Sequence, residues 1–96
     1  MIEVRQTESF RDWFAGLRDR SAVQRIAARI RRMSSGNLGD TKPAGGGLLE
    51  ARIDHGPGYR LYFVRRGDAL IILLCGGDKG SQERDIAKAK ALAKEE

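Results

Sequence analysis

The sequence predicts a single α+β domain with the element order β-α-α-β-β-β-α. Apolar residues recur with helical spacing between residues 10 and 33. Strand-like runs separated by two turn signals fill residues 48–75, and a segment rich in alanine and lysine follows. We therefore expect an N-terminal helical hairpin packed on an antiparallel sheet, and a C-terminal helix. At 96 residues the chain is of ordinary size for one domain, which we assign to residues 1–96.

The first segments of the chain predict a strand and a helix. Residues 2–6 alternate between apolar and polar side chains, as in a short strand. Phe10, Trp13, Phe14 and Leu17 then lie at helical spacing and share one face. This aromatic stripe is more typical of a helix packed on a core than of a surface that stacks nucleobases.

A second predicted helix carries arginines opposite its apolar face. The apolar stripe consists of Val23, Ile26, Ala27, Ile30 and Met33. Arg25, Arg29 and Arg32 recur on the other side at the spacing of one helix face. Such a row is usually a solvated surface, but it could also bind phosphate groups or an acidic segment of a partner. We therefore include Arg25 and Arg29 among the candidate RNA contacts.

Residues 34–47 predict a long loop, because glycines, Asp40 and Pro43 interrupt every periodic pattern. Lys42 is the only basic residue of this loop and is a further candidate RNA contact. No Walker pattern is present, so the glycines alone do not indicate a nucleotide-binding loop.

The segment from Leu48 to Cys75 predicts an antiparallel meander of three strands. Strands over residues 48–55 and 59–65 are joined by Gly56-Pro57-Gly58, and a turn at Gly67 leads into a strand over residues 69–75. The last run is apolar throughout, as expected of a strand buried on both faces. We expect all helices to cover one face of this sheet.

The predicted meander has one apolar face and one polar face. The apolar face consists of Leu49, Ala51, Ile53, Leu61 and Phe63. The opposite face would stay open and carry Glu50, Arg52, Arg60 and Tyr62, because side chains alternate along a strand. Asp78, Lys79 and Gln82 follow the last strand and can reach the same edge, and we include Glu50, Asp78 and Gln82 among the candidate RNA contacts.

This set of side chains suits metal-free RNA cleavage. Arginine's planar fork fits phosphate oxygens and can stabilise the charge of the transition state. One histidine and one cysteine cannot form a zinc site, and the carboxylates lack ligand spacing, so we expect no metal and no cofactor. His55 ends a strand out of phase with Arg52 and is better interpreted as a turn residue. Cys75 closes an apolar strand with no histidine in evident reach, so it is a poor nucleophile.

Charge and composition limit the partners and the compartment. A net charge of +5 indicates a polyanionic or acidic partner, or only a solvated cationic surface. A single cysteine excludes an intramolecular disulfide and fits a reducing cytoplasm. No signal peptide is visible, and the longest apolar run is too short to span a membrane. We therefore expect a cytoplasmic protein without membrane contact.

Several strings of residues together resemble the RelE/ParE superfamily of bacterial toxins, in particular its HigB-like branch of addiction module killer proteins. The strings are GNLGD at 36–40, KP at 42–43, LEARI at 49–53, GPGYRLYF at 56–63 and LCGGDK at 74–79, with Gln82 and Asp85-Ile86. They cover nearly the whole chain in the right order.

The resemblance implies a RelE-like fold and the toxin of a type II toxin–antitoxin system. Such toxins block translation, and most cut mRNA on the ribosome. A cognate antitoxin, often a helix-turn-helix protein, would neutralise the toxin in a hetero-oligomer. Arg60 and Arg52 match cations of the family's catalytic face, and Lys79 and Gln82 match its polar exit. Tyr62 joins them as a catalytic candidate because it is in phase with Arg60.

The chain also departs from the family pattern. Ala51 replaces a larger apolar residue, Gly80 replaces a common hydroxyl residue, and the tyrosine-terminated end of some superfamily nucleases is absent. These departures leave the general acid and base unassigned. Two alternatives stay open: a ParE-like inhibitor of DNA gyrase, and a non-catalytic module whose cations only hold an acidic antitoxin.

Overall fold

The computed structural model describes residues 1–96 and confirms the α+β class. The strands are β1 (Glu3–Gln6), β2 (Thr41–Gly45), β3 (Leu48–Ile53), β4 (Tyr59–Arg66) and β5 (Leu70–Asp78). The helices are α1 (Glu8–Ala15), α2 (Arg20–Ser34) and α3 (Gln82–Ala93), and a short 3-10 turn covers Lys79–Ser81. The predicted element order is therefore wrong by one strand, since β2 lies in the segment predicted as loop.

The five strands form one mixed sheet in the order β1-β5-β4-β3-β2. The predicted antiparallel meander is confirmed in β3, β4 and β5, but β1 is parallel to β5, so the sheet as a whole is not antiparallel as expected. β2 pairs Thr41 with Ala51 and Lys42 with Glu50. Pro43 is tolerated there because β2 is an edge strand.

Helices cover both faces of the sheet, which corrects the expectation that all helices lie on one face. The core beneath α1 and α2 consists of Phe10, Ile26, Met33, Ala51, Ile53, Leu61, Phe63, Ile71 and Leu73. The core beneath α3 consists of Leu48, Tyr62, Val64, Ile72, Leu74, Cys75 and Ala89. The face opposite α1 and α2 is therefore partly covered by α3 and is not open along its whole length.

A β-bulge in β5 controls which side chains meet each helix. Tyr62 pairs with Cys75 and Phe63 pairs with Leu73, so the residue between them is extra and both Leu74 and Cys75 enter the core under α3. Two glycines follow the bulge. A Cβ at Gly76 would overlap the Trp13 ring of α1, and a Cβ at Gly77 would overlap the Asp85 carboxylate of α3.

Side-chain caps explain where the first two helices begin. The Thr7 hydroxyl accepts a hydrogen bond from Phe10 N at 3.1 Å, and Asp19 accepts from Ser21 N and Ala22 N. None of the helices combines the length and the apolar character that crossing a membrane requires.

Candidate anion-binding cleft

An open polar cleft lies at the corner of the sheet that α3 leaves uncovered. It has a volume of about 380 Å³. Its lining residues are Asp40, Arg52, Ile53, Asp54, Gly56, Pro57, Gly58, Arg60 and Lys79. Three of the four residues that the sequence predicted as catalytic, Arg52, Arg60 and Lys79, therefore share one concavity.

Arg60 is held rigidly at the floor of the cleft. Arg52 and Arg60 lie directly opposite each other on β3 and β4. The Arg60 side chain is only 11% exposed, and its Nη1 donates to the carbonyls of Gly58 at 3.1 Å and Tyr59 at 3.2 Å. A fixed guanidinium binds an anion at low entropic cost.

Glu50 lies beneath Arg60 and does not reach the cleft surface. It is 1% exposed, and the Gln82 side chain donates to its Oε1 at 2.6 Å. Its Oε2 lies 3.7 Å from Arg60 Nε. A buried carboxylate needs a counter-charge, so this trio orients Arg60. Glu50 and Gln82, which the sequence offered as RNA contacts, are placed to support the arginine that would make the contact.

Arg52 is paired with a carboxylate that lies in the cleft itself. Its Nη2 donates to Asp40 Oδ1 at 3.0 Å. This hydrogen bond and the charge attraction lower the pKa of Asp40 and raise the pKa of Arg52. The Arg52 side chain is 39% exposed, so an incoming phosphate can reach its guanidinium.

Tyr62 is not part of the cleft, which corrects its assignment to an open working face. It is 0% exposed beneath α3, and its hydroxyl has no hydrogen-bond partner. Burial, followed by the negative charges of Glu50 and Asp85, raises the pKa of the Tyr62 hydroxyl. The tyrosine was correctly placed in phase with Arg60, but α3 covers that part of the face.

The two arginines offered on α2 occupy different environments. Arg25 is exposed and does not line the cleft. Arg29 is buried, and its guanidinium donates to Arg52 O at 2.8 Å and to Asp40 O at 3.3 Å. Burial lowers its pKa. Arg29 thus ties α2 to the backbone that carries Arg52, and the expectation of a solvated position is wrong.

The remaining candidates lie near the cleft without lining it. Lys42 is exposed on β2, opposite Glu50. Asp78 caps the 3-10 turn by accepting from Gly80 N at 2.8 Å and from Ser81 N at 3.2 Å, which orders the backbone around Lys79.

Asp40 and Asp54 are cleft residues that the sequence reasoning missed as candidates. Asp54 follows Arg52 by two residues and so shares its face, a signal that was available. Asp40 is brought in by the pairing of its carbonyl with Arg52 N at 2.9 Å, which required knowledge of β2.

The single histidine and the single cysteine lie outside the cleft. His55 Nε2 is 3.0 Å from Asp19 Oδ2, and this contact, after the hydrogen bond from Ala22 N, lowers the pKa of Asp19. Cys75 is 2% exposed, and burial raises the pKa of its thiol to about 11. No group of three or more His, Cys, Asp or Glu side chains is placed to hold a metal ion.

Comparison with known proteins identifies a relative across nearly the whole chain. A protein of Haemophilus influenzae (strain Rd), described as uncharacterized, is 46% identical over 94 residues, which is 98% of this chain and 95% of the relative. The chain belongs to the same family as this Haemophilus protein. No family model matches the sequence.

Proposed function

We propose that this protein is the toxin of a type II toxin–antitoxin system and cleaves mRNA bound to the ribosome. The observation that carries the proposal is the convergence of Arg52, Arg60 and Lys79 on one open cleft. Three cations against two carboxylates, Asp40 and Asp54, leave this concavity with a net positive charge, which favours an anionic ligand. The resemblance of the strings around these residues to the RelE/ParE superfamily selects RNA among such ligands.

In the proposed reaction the cleft binds the phosphodiester that is cut. A base removes the proton of the ribose 2′-hydroxyl, the 2′-oxygen attacks the adjacent phosphorus, and the bond from phosphorus to the 5′-oxygen breaks. The products are a 2′,3′-cyclic phosphate and a 5′-hydroxyl that receives a proton. Arg52 and Arg60 bind the non-bridging oxygens, where negative charge increases in the transition state.

Proton transfer falls to the remaining polar groups of the cleft. Asp54 is exposed and accepts no hydrogen bond, whereas Asp40 is engaged by Arg52, so Asp54 is the proposed base. Lys79, on the ordered 3-10 turn, is the proposed donor to the 5′-oxygen. Neither a histidine nor a tyrosine lines the cleft to share in these proton transfers. We therefore expect most of the rate enhancement to come from charge stabilisation and positioning.

A non-enzymatic, anion-binding module is the second candidate. One observation favours it: neither a histidine nor a tyrosine lines the cleft, and the Tyr62 hydroxyl is sealed under α3. In that case the cleft would hold RNA or an acidic segment of a partner without cutting it.

Expression of the chain with and without its genomic neighbour tests the proposal. We expect growth arrest and new mRNA 5′ ends with the chain alone, and neither when the neighbour is co-expressed. Arg52→Met should reduce cleavage by about 10²-fold, because a donor to the transition-state charge is lost. Arg65→Met is the matched control, since it removes the same charge from an exposed position outside the cleft.

Each alternative gives a distinct result in this experiment. Growth arrest with an induced DNA-damage response and intact mRNA would reject RNA cleavage in favour of gyrase inhibition. RNA binding by the purified protein without any new 5′ ends would support the non-enzymatic module. Equal cleavage by Arg52→Met and the wild type would show that the cleft is not the site.

A further inference from the structure

A second cavity lies along the free edge of β5, on the other side of the 3-10 turn from the cleft. β1 ends opposite Leu73, whereas β5 continues to Asp78, so this part of β5 has no neighbouring strand on that side. A pocket of about 460 Å³ opens there, a volume typical of small-ligand sites. Lys79 lines the cleft and Ser81 lines this pocket, and only Gly80 lies between them in the chain.

A buried carboxylate with one unused oxygen lines the pocket. The Asp85 side chain is 9% exposed, and the absence of a side chain at Gly77 makes room for it. Ser81 Oγ donates to Asp85 Oδ2 at 2.5 Å, but Oδ1 accepts no hydrogen bond and lies 3.9 Å from Arg84 Nε. Oδ1 is not among the fully buried atoms, so a ligand in the pocket can reach it. The free oxygen therefore favours a ligand with a hydrogen-bond donor, and its charge disfavours a phosphate.

An aromatic ring lies on the opposite face of the same edge. Trp13 lies against Gly76, where any side chain would overlap its ring, and it also lines the pocket. Arg84 and Lys88 complete the rim on the side of α3. A flat group that enters edge-on along β5 would therefore meet an aromatic surface on one side and a carboxylate acceptor on the other. Such combinations of stacking and edge recognition are typical of single-stranded RNA binding.

We propose that this pocket binds a nucleobase that has an exocyclic amino group. The amino group donates to Asp85 Oδ1 and the ring packs against Trp13. The inference rests on the proposed function, because the base belongs to the RNA whose phosphodiester occupies the adjacent cleft. It adds a selectivity: adenine, guanine and cytosine carry the required amino group, and uracil does not.

Titration of the ¹⁵N-labelled full chain with nucleosides tests the pocket without any phosphate. We expect adenosine and cytidine to shift the amide signals of Gly76 and Gly77 and the indole signal of Trp13. Uridine should bind at least about tenfold more weakly, which is the value of one hydrogen bond to a charged group. Ribose 5-phosphate, which has no base, should shift Gly58 and Lys79 instead and so reports on the cleft alone.

An isosteric variant reverses the expected preference. In Asp85→Asn the side-chain oxygen accepts from Ser81, so the amide donor faces the pocket. Uridine, which offers a carbonyl oxygen, should then bind at least as well as cytidine. If this variant does not fold, the preference of the wild type for cytidine over uridine tests the nucleobase site on its own.

The arms of the titration separate the two proposals. Equal shifts with uridine and cytidine, or no shifts at Gly76 and Gly77 with any nucleoside, would overturn the nucleobase site, even if ribose 5-phosphate binds the cleft. A short capped Thr/Val peptide is titrated in the same way. If this peptide shifts the signals of the β5 edge and none of the nucleosides does, the edge binds a peptide strand and not a nucleobase. Selective nucleoside binding without any response to ribose 5-phosphate would uphold the pocket and count against the cleft.

Discussion

Replacing Arg60 should destabilise the fold as well as the site, because Glu50 depends on it. Arg60→Met leaves the Glu50 carboxylate, 1% exposed, without its counter-charge at 3.7 Å. The lost attraction is about 4 kcal/mol at an effective dielectric constant of about 20, and breaking buried pairs typically costs about 3–5 kcal/mol. We expect the free energy of unfolding to fall by about 3–4 kcal/mol.

A second substitution should restore the stability but not the function. Glu50→Gln removes the buried charge and keeps an oxygen for the Gln82 amide, so Arg60→Met with Glu50→Gln should lie within about 1 kcal/mol of the wild type. Urea titration followed by the fluorescence of Trp13, the only tryptophan, measures both values. Arg65→Met should change stability by less than about 0.5 kcal/mol. Equal stabilities of the single and double variants would refute the charge argument.

Three further predictions concern the parts of the fold that surround the site. Gly76→Ala should prevent Trp13 from packing on β5, which we expect to appear as a loss of stability of at least about 2 kcal/mol with red-shifted fluorescence. Cys75 should react with iodoacetamide at pH 8 only after unfolding, since a pKa of about 11 leaves only about one thiolate in a thousand. Arg52→Met should raise the pKa of Asp40 in an NMR titration, because it removes the hydrogen bond that lowers it. The stability that Asp40 contributes through its lowered pKa should be present above about pH 4 and lost as the pH falls through the folded value, and in Arg52→Met this acid-dependent loss should disappear.

The sequence predicted the parts of the site that follow from strand periodicity. Side chains of a strand alternate strictly, so Arg52 and Arg60 could be placed on one face before any neighbour was known. The short turn at Gly56-Pro57-Gly58 then predicts that their two strands are neighbours. Lys79 could be placed at the same edge because β5 must end beside the start of β4 in such a meander.

The parts that the sequence did not predict depend on tertiary contacts. A strand at 41–45 has little intrinsic support, since Pro43 and Gly45 disfavour it, and only pairing with β3 creates it. The composition of α3 predicts a helix but does not specify which face of the sheet it covers. That choice buries Tyr62 and Glu50, whose polar groups had indicated an open surface.

Arg29 shows that helical spacing in the sequence does not always predict whether a side chain is exposed. Its helical spacing from Arg25 and Arg32 suggested a solvated row, but Arg29 is buried whereas the other two are exposed. The glycine at position 39 allows the chain to approach closely enough for the guanidinium to meet two backbone carbonyls. Sequence spacing does not reveal such an approach.

The most direct test of the central claim is a cleavage reaction with purified components. Ribosomes carrying a defined mRNA are incubated with the wild type or with the stable double variant Arg60→Met, Glu50→Gln, and the mRNA ends are mapped. The account predicts cuts that leave a 2′,3′-cyclic phosphate and a 5′-hydroxyl with the wild type, and at least about 10²-fold slower cleavage with the double variant. No cuts by the wild type, or equal cutting by the two folded proteins, would contradict it.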